Sequence, residues 1–297
     1  MIMRRIITTL AALLLAVGVL FPQSTTAEKA IDEKLGVPIV VYGANLSETE
    51  KETMKKSLGV DQETEVEEIT VDGNDLVKYI KNGNSQARMY SSAKITRQEE
   101  GKGLVISIVT EENITEVTPE MYANAMLTAG IEDAIVEVAS PKKVSGHSAL
   151  VGIYKAYEVT GETLDTERTD VANDELNLAT KFAKDSGIDQ EKVSTLLTEI
   201  KKQIAEQNPA TKEDVERIVK EQLSKLNIEL NEADRQLLID LMDRIRNLDI
   251  DFSKFSDQLN DMATKIKDKF GEIDPGFWEK VKQFFADLFE SIKSWFN

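Results

Sequence analysis

With 297 residues, 41% of them hydrophobic and 30% charged, the chain is long enough to bury a sizeable core and has the composition of a folded soluble protein, which excludes a disordered one. It contains no cysteine and a single histidine, which excludes disulfides, thiolate nucleophiles and cysteine-ligated metals. The net charge of -17 repels the phosphates of nucleic acids, so nucleic acid is not an expected partner.

The N-terminus has the three parts of a secretory signal peptide. Arg4 and Arg5 supply positive charge, residues 6–21 form an apolar run, and small residues follow up to Ala27. This order predicts that residues 1–27 are cleaved and that the mature protein is secreted or extracellular, with cell-envelope association as a variant. An uncleaved anchor is the alternative, although the apolar run is shorter than the ~20 residues of a membrane span.

Between residues 28 and 160 the pattern alternates between strands and helices. Apolar runs bounded by turn residues predict strands at 37–42, 66–71, 89–97, 104–109 and 135–138, and the first and the last of these are predicted to be buried. Polar caps and turns predict helices that begin after Ser47, Asp72, Thr118 and Gly146. Strands that alternate with helices favour an α/β sandwich with helices packed on a mixed sheet. The runs 89–97 and 104–109 are joined by a loop with two glycines, which predicts a hairpin.

Beyond Gly161 the sequence contains only helix patterns. Polar caps at Asp189, Thr211 and Asn231 start three of these helices. The connections are short, so neighbouring helices are expected to be antiparallel. We therefore predict an α/β domain at 28–160, a boundary near Gly161 and an all-α helical domain at 161–297.

The predicted last helix, 275–296, carries a wide apolar stripe that includes both tryptophans of the chain. Burying one such side chain is worth roughly 1.5 to 3 kcal/mol, so something is expected to cover the stripe. The protein's own helices, a membrane surface and a groove on a partner are the three alternatives. The charges of the helix sum to zero, which disfavours a membrane because interfacial helices usually have a basic polar face. The residues predicted to dock on a partner or a membrane are Phe277, Trp278, Val281, Phe284, Phe285, Leu288, Phe289, Ile292, Trp295 and Phe296.

Ser148 stands where a nucleophile elbow would place a serine, between a predicted strand and a helix. Leu150 replaces the last glycine of that motif. His147 is the only histidine of the chain, and a residue adjacent to the serine on the same turn cannot swing round to act as its base. We therefore interpret Ser148 as a residue of the first helical turn.

Ser91 and Lys94 match the pattern S-x-x-K, in which a lysine activates a serine. In penicillin-binding proteins this pattern needs two further motifs, S-x-N and K-T-G, and residues 143–146 only approach the second. Ser91 also lies in a strand-like run and not at the start of a helix. Neither motif predicts a catalytic residue.

Metal and cofactor sites have little support in the sequence. Without cysteine and with one histidine, a zinc site would need almost only carboxylate ligands. A calcium loop that starts at Asp249 fails, because Lys254 and Asn260 stand where glycine and glutamate are needed. The acids at 72–75 are explained by a turn. We predict no cofactor and no metal site, and weak Ca²⁺ binding by the acidic surface stays an open alternative.

Several segments of the chain resemble one known family. They are 43–47 (GANLS), 126–130 (MLTAG), 145–146 with 149–150, 155–158 (KAYE) and 249–251 (DID). In this order, between a signal peptide and an aromatic C-terminal helix, the chain resembles the YpuA-like family of uncharacterised exported proteins of Gram-positive bacteria (domain of unknown function 1002). The resemblance covers essentially the whole mature chain and implies an extracellular protein. No catalytic residues are established for the family, so the resemblance implies none here.

These observations together favour an exported, non-enzymatic interaction protein, which uses its last helix to meet an unidentified protein or envelope component. An enzyme that acts on a cell-wall polymer through carboxylates is the first alternative, and it predicts two acids with raised pKa values in one cleft. A protein associated with a membrane surface is the second alternative.

Overall fold

The structure, a computed structural model, describes residues 35–251 together with 257, 259 and 260. The predicted signal peptide at 1–27 and the ten docking residues of the predicted last helix, 275–296, lie outside the described residues. Most of the helix pattern between Phe252 and Phe270 lies outside them as well.

A five-stranded mixed sheet forms the centre of the described part. Its strands are β1 (Ile39–Gly43), β2 (Glu67–Val71), β3 (Ser92–Arg97), β4 (Leu104–Ile108) and β5 (Ala134–Ala139). They lie in the order β2-β1-β3-β5-β4, so that β2 and β4 are the edges. β2 is parallel to β1, β4 is parallel to β5, and β3 runs antiparallel to both of its neighbours. The predicted α/β class and the mixed sheet are confirmed.

The hairpin predicted for the third and fourth strands is wrong, because β5 lies between β3 and β4 and bonds to both. The loop that joins β3 to β4 is tied to the start of β5. Gln98 N–H donates to the carbonyl oxygen of Asp133 at 3.0 Å, and Gly103 N–H donates to the carboxylate of Asp133 at 2.7 Å. Val136 and Val138 of β5 are fully buried, so the central position removes more apolar surface from water than an edge position would.

Eight α-helices are described: α1 (Glu48–Ser57), α2 (Gly73–Tyr79), α3 (Pro119–Ala129), α4 (His147–Val159), α5 (Thr166–Asp185), α6 (Gln190–Gln207), α7 (Lys212–Lys225) and α8 (Glu232–Arg246). The predicted caps are confirmed at Ser47, Thr118, Asp189, Thr211 and Asn231, each of which accepts a hydrogen bond from an amide of the first turn. Among these helices, none is both long enough and apolar enough to cross a membrane.

Helices α3 and α4 cover one face of the sheet, where the main core lies. α4 packs against β1, β2 and β3, and α3 packs against β4. Side chains such as Val41 and Val136 point into this core. On the opposite face, Met54 of α1 and Leu58 just after it form a smaller core with Val40 of β1 and Ala139 of β5.

Helices α5 to α8 extend the main core away from the sheet. α5 and α6 both pack against α3. α7 packs against α6, and α8 packs against α5. The core runs without a break from Ile39 to Ile245, so it includes side chains from both sides of Gly161. All described strands precede Gly161, and the described helices after it form the helical part of the chain. The domain boundary near this residue stays a prediction.

Polar groups are buried where α3 meets α5 and α6. Asn124 and Thr128 of α3 face Glu175 of α5 and both Thr198 and Lys201 of α6, and all five residues are buried. Lys201 Nζ donates to the carbonyl oxygen of Asn124 at 2.9 Å. Thr128 Oγ1 donates to Glu175 Oε2 at 2.6 Å, and Asn124 Nδ2 donates to Thr198 Oγ1 at 3.0 Å. These bonds join the part of the chain before Gly161 to the part after it.

Candidate interaction surface

In the structure, the side chains of His147 and Ser148 in the nucleophile-elbow pattern do not contact each other. Ser148 lies in the first turn of α4, as interpreted from the sequence, and its Oγ donates to Ser91 Oγ at 3.1 Å. The ring of His147 makes its contacts elsewhere: Nδ1 lies 3.1 Å from Ser145 Oγ, and Nε2 lies 3.1 Å from Thr180 Oγ1. Burial lowers the pKa of His147, so the neutral ring is favoured. The imidazole is therefore not positioned to take a proton from Ser148.

Ser91 and Lys94 point to opposite faces of the sheet. Ser91 contacts α4 on one face, as described above, whereas Lys94 Nζ donates to the carbonyl oxygen of Leu58 at the end of α1, 2.8 Å away, on the other. Lys94 Nζ also lies 2.7 Å from Glu137 Oε2 and 3.4 Å from Glu63 Oε1. The lysine holds the end of α1 against the sheet and does not activate Ser91.

The acids at 72–75 form the turn predicted for them. Asp72 Oδ1 accepts hydrogen bonds from the N–H groups of Asn74 and Asp75, which start α2. Over residues 35–251, no group of three or more histidine, aspartate and glutamate side chains is arranged to hold a metal ion. The segment tested as a calcium loop continues beyond Asp251, outside the continuous described range.

A hollow of about 290 Å³ lies beside the start of β5, and acids dominate its wall. We name it the acidic hollow, and its charged and aromatic lining residues are Arg97, Glu99, Glu100, Glu132, Asp133 and Tyr157. Arg97 pairs with Glu162 at 2.6 Å and lies over the ring of Tyr157. Asp133 accepts the amide of Gly103, as described above, so its carboxylate has a structural role.

Three apolar side chains are exposed on the outer face of β4 and β5. Val105 is 47% exposed, Val109 40% and Ile135 36%. Val105 and Ile135 are partners in the parallel register, so they point to the same face. Val109 follows β4 by one residue, and its N–H donates to the carbonyl oxygen of Val138 at 2.8 Å, so the pairing with β5 continues to it. Its side chain therefore shares the face of Val105. We name these three residues the β4–β5 strip.

The strip lies beside the part of this face that α1 covers. Met54 and Leu58 belong to an apolar cluster with Val40 and Tyr42 of β1, and this cluster reaches β5 at Ala139, beyond Ile135. On the opposite face of the same two strands, Leu104 and Val136 are buried in the main core. Alternate side chains of β4 and β5 thus enter the core, and those between them meet solvent.

The sequence analysis predicted a buried strand at 135–138, and the exposure of Ile135 corrects this prediction. A usable signal was present: Glu137 lies two positions after Ile135, and Ser107 lies two positions after Val105, so each shares its face with a polar residue. Period-two spacing with polar residues indicates a strand with one face in solvent. The hairpin prediction concealed the strip, because it paired β4 with β3 instead of β5.

Comparison with known proteins confirms the resemblance stated from the sequence. The model of a family described as "Protein of unknown function (DUF1002)" matches residues 42–262, a range that includes the β4–β5 strip. The chain is similar to the uncharacterized protein YpuA of Bacillus subtilis (strain 168), with 37% identity over 272 residues, which cover 90% of this chain and 92% of the relative. No solved structure matches the chain.

Proposed function

The chain belongs to the DUF1002 family of proteins of unknown function, and on that premise we propose that it is an exported interaction protein, which binds a partner in the extracellular space or the cell envelope. The observation that carries the proposal is the β4–β5 strip. Single exposed apolar side chains are ordinary on protein surfaces, but Val105 and Ile135 lie directly opposite each other on adjacent strands, and Val109 lies on the same face beyond Ser107. Apolar side chains grouped in this way are typical of a surface that another molecule covers. Covering it is favourable by about 25 cal/mol per Å² of apolar area.

Export is supported by the sequence of residues 1–27. The positive charges of Arg4 and Arg5, the apolar run after them and the small residues up to Ala27 are typical of a signal peptide. The net charge of -17 supports a partner that is neutral or basic, because acidic polymers are repelled.

The aromatic stripe of 275–296 supports a second docking element within the same proposal. Its ten apolar side chains, from Phe277 to Phe296, recur at helical spacing and would be costly to leave in water. A partner groove suits this stripe better than a membrane surface, because its flanking charges sum to zero.

Photocrosslinking in the native host tests the proposal. p-Benzoylphenylalanine replaces Val105 in one variant and Ile135 in a second, and it replaces Leu237, which is 46% exposed on α8, in the matched control. We expect the same adduct from the first two variants, competed away by unlabelled mature protein, and no such adduct from the control. Indistinguishable patterns in all three variants would contradict the docking surface. Recovery of the chain from the cytoplasm with its signal segment intact would contradict export.

A carboxylate enzyme is the second candidate function, and the acidic hollow is the observation that favours it. Four carboxylates line one concave site, and a pair of acids in such a site is what hydrolysis of a glycan requires. This candidate predicts that purified peptidoglycan is hydrolysed and that Glu99→Gln or Glu132→Gln abolishes the rate. A preparation without hydrolysis, or a rate that neither substitution changes, would remove the candidate.

A further inference from the structure

The two edges of the sheet differ in how they are protected. Glu67 and Glu68 of β2 are exposed, and Glu65 just before them is exposed as well. β4, at the other edge, has the sequence LVISI and no charged residue. Charged side chains on an edge strand hinder pairing with another strand, whereas an uncharged edge is a template for it. β4 is therefore the edge at which the sheet can accept a further strand.

The hydrogen-bonding groups of β4 alternate between its two sides. Val109 N–H donates to the carbonyl oxygen of Val138 at 2.8 Å, so the N–H group of Val109 points toward β5. Because successive residues of a strand direct their peptide groups to opposite sides, Ile106 and Ile108 direct theirs to the outer edge. Within residues 35–251, no strand pairs with this edge. An added strand would find N–H donors and C=O acceptors of both isoleucines there.

An added strand would also extend the β4–β5 strip. Neighbouring strands lie about 4.8 Å apart, so alternate side chains of the added strand would stand beside Val105 and Val109, as Ile135 does on the other side. Cross-strand pairs of β-branched side chains stabilise such an arrangement. The added strand that fits best therefore has an apolar residue at every second position.

Carboxylates bracket β4 at both ends. Glu99 and Glu100 precede it, Glu111 and Glu112 follow it, and all four are exposed. Lys102 is the only basic residue between positions 99 and 112 of the sequence. Lysine or arginine at both ends of an added strand would complement these charges. Antiparallel pairing with β4 of a second copy would instead place the same acids opposite each other, which is unfavourable.

We propose that β4 accepts, as a sixth strand, an extended segment of a partner protein that has apolar residues at alternate positions and lysine or arginine at both ends. This inference rests on the proposed function and names the kind of partner, which binds by strand addition. Residues 275–296 of the chain itself do not fit this description. Their apolar positions follow helical spacing, so as a strand they would present apolar side chains on both faces.

Binding of the synthetic peptide KKVTVTVKK to the full mature chain tests the inference, with amide hydrogen exchange of β4 as a second readout. We expect binding that slows exchange at Ile106 and Ile108 by at least about tenfold. One control peptide is N-methylated at its central valine and at the next threonine, so that a main-chain donor is lost in either orientation. Another control carries glutamate in place of every lysine. Each control is expected to bind at least about tenfold more weakly.

A matched pair of protein variants tests the location. Val105→Lys places a charge in the β4–β5 strip, and Leu237→Lys adds the same charge at a comparably exposed apolar site on α8. We expect Val105→Lys to weaken binding of the lysine-flanked peptide by at least about tenfold and Leu237→Lys to leave it unchanged. Both variants should keep the native thermal unfolding midpoint, because the replaced side chains are exposed.

Three outcomes would overturn the inference. The first is equal binding of the lysine-flanked peptide by the two variants, and the second is peptide binding that leaves amide exchange at Ile106 and Ile108 unchanged. The third is a dimer of the mature chain that the substitution Val105→Lys dissociates. The last would identify a second copy as the occupant. If no peptide binds while crosslinks at positions 105 and 135 persist, strand addition is wrong and the proposed function stands. If the crosslinks are absent too, both are wrong.

Discussion

Lys201 Nζ lies 2.7 Å from Glu175 Oε1, and both side chains are fully buried between α5 and α6. Burial lowers the pKa of Lys201, and the charge of Glu175 opposes that shift because it favours the ammonium form. Thr128 of α3 donates to the second oxygen of Glu175, so the ion pair connects three helices. A buried pair of this kind is costly to break, although an apolar pair of similar size can replace it.

We predict that Lys201→Met lowers the free energy of unfolding by about 3 to 5 kcal/mol, because it leaves the carboxylate of Glu175 buried without its cation. Glu175→Leu leaves the ammonium group of Lys201 buried without its carboxylate, and we expect a similar loss of unfolding free energy. The double variant removes both charges and should lose less than either single variant. Urea denaturation of the four proteins measures the coupling, and losses that simply add would contradict this role for the pair.

His147 makes the stability of the fold sensitive to mild acid. Burial lowers its pKa below the ordinary value of 6.5, Glu116 opposes this shift and Lys184 adds to it. A lowered pKa means that the neutral ring stabilises the fold fully above about pH 6.5, and that this contribution is lost as the pH falls through the folded-state pKa. Between about pH 7.5 and about pH 5.5, the free energy of unfolding should therefore fall further for the native chain than for His147→Gln.

Glutamine is the suitable replacement in that comparison, because its amide can still bond to the hydroxyls of Ser145 and Thr180 but does not titrate. Chemical denaturation at both pH values measures the difference. Parallel loss of stability in the two proteins would show that other groups cause the acid sensitivity.

Gly43, at the end of β1, lies against the backbone of Met89. A Cβ atom at Gly43 would be 2.3 Å from the carbonyl oxygen of Met89. That backbone cannot shift easily, because Met89 N–H donates to Asn45 Oδ1 at 2.8 Å and Met89 O accepts from Asn45 N–H at 3.0 Å. We predict that Gly43→Ala costs at least about 3 kcal/mol of unfolding free energy.

Gly152→Ala is the matched control for the glycine substitution. A Cβ atom there would be 3.0 Å from Cγ1 of Val41, which is a side-chain atom, and alanine adds about 1 kcal/mol of helix propensity in α4. Its unfolding free energy should stay within about 1 kcal/mol of the native value. Thermal or urea unfolding ranks the two variants, and the reverse ranking would refute the contact at Gly43.

The membrane alternative makes a prediction about residues 275–297. If this segment binds a bilayer, the mature chain floats with phosphatidylcholine–phosphatidylglycerol vesicles and a chain that ends before Pro275 does not. We predict equal recovery of both chains in the unbound fraction, because the stripe has no excess of basic residues and the chain is acidic. Flotation of the longer chain alone would establish membrane binding.

The sequence was sufficient for the elements but not for their arrangement. A cap such as Ser47 or Thr118 acts on an amide two or three residues away, so its signal is local and was identified. The pairing of β3 with β5 joins Ser92 to Ala139, and no local pattern encodes such a distant partner. The solvent-exposed face that carries Val105 was detectable from the polar residue two positions further along the strand. Recognising β4 as an edge strand required the order of the strands in the sheet.

Hydrogen–deuterium exchange of the mature protein, alone and in the complex isolated from its native host, tests the docking surface most directly. The informative fragments are 102–110, which contains β4, and 232–246, which contains the exposed control residue Leu237. We predict that exchange in 102–110 is slower in the complex and that exchange in 232–246 is the same in both samples. Unchanged exchange in 102–110, with slowing elsewhere in the chain, would contradict the assignment of β4 and β5 as the surface that meets the partner.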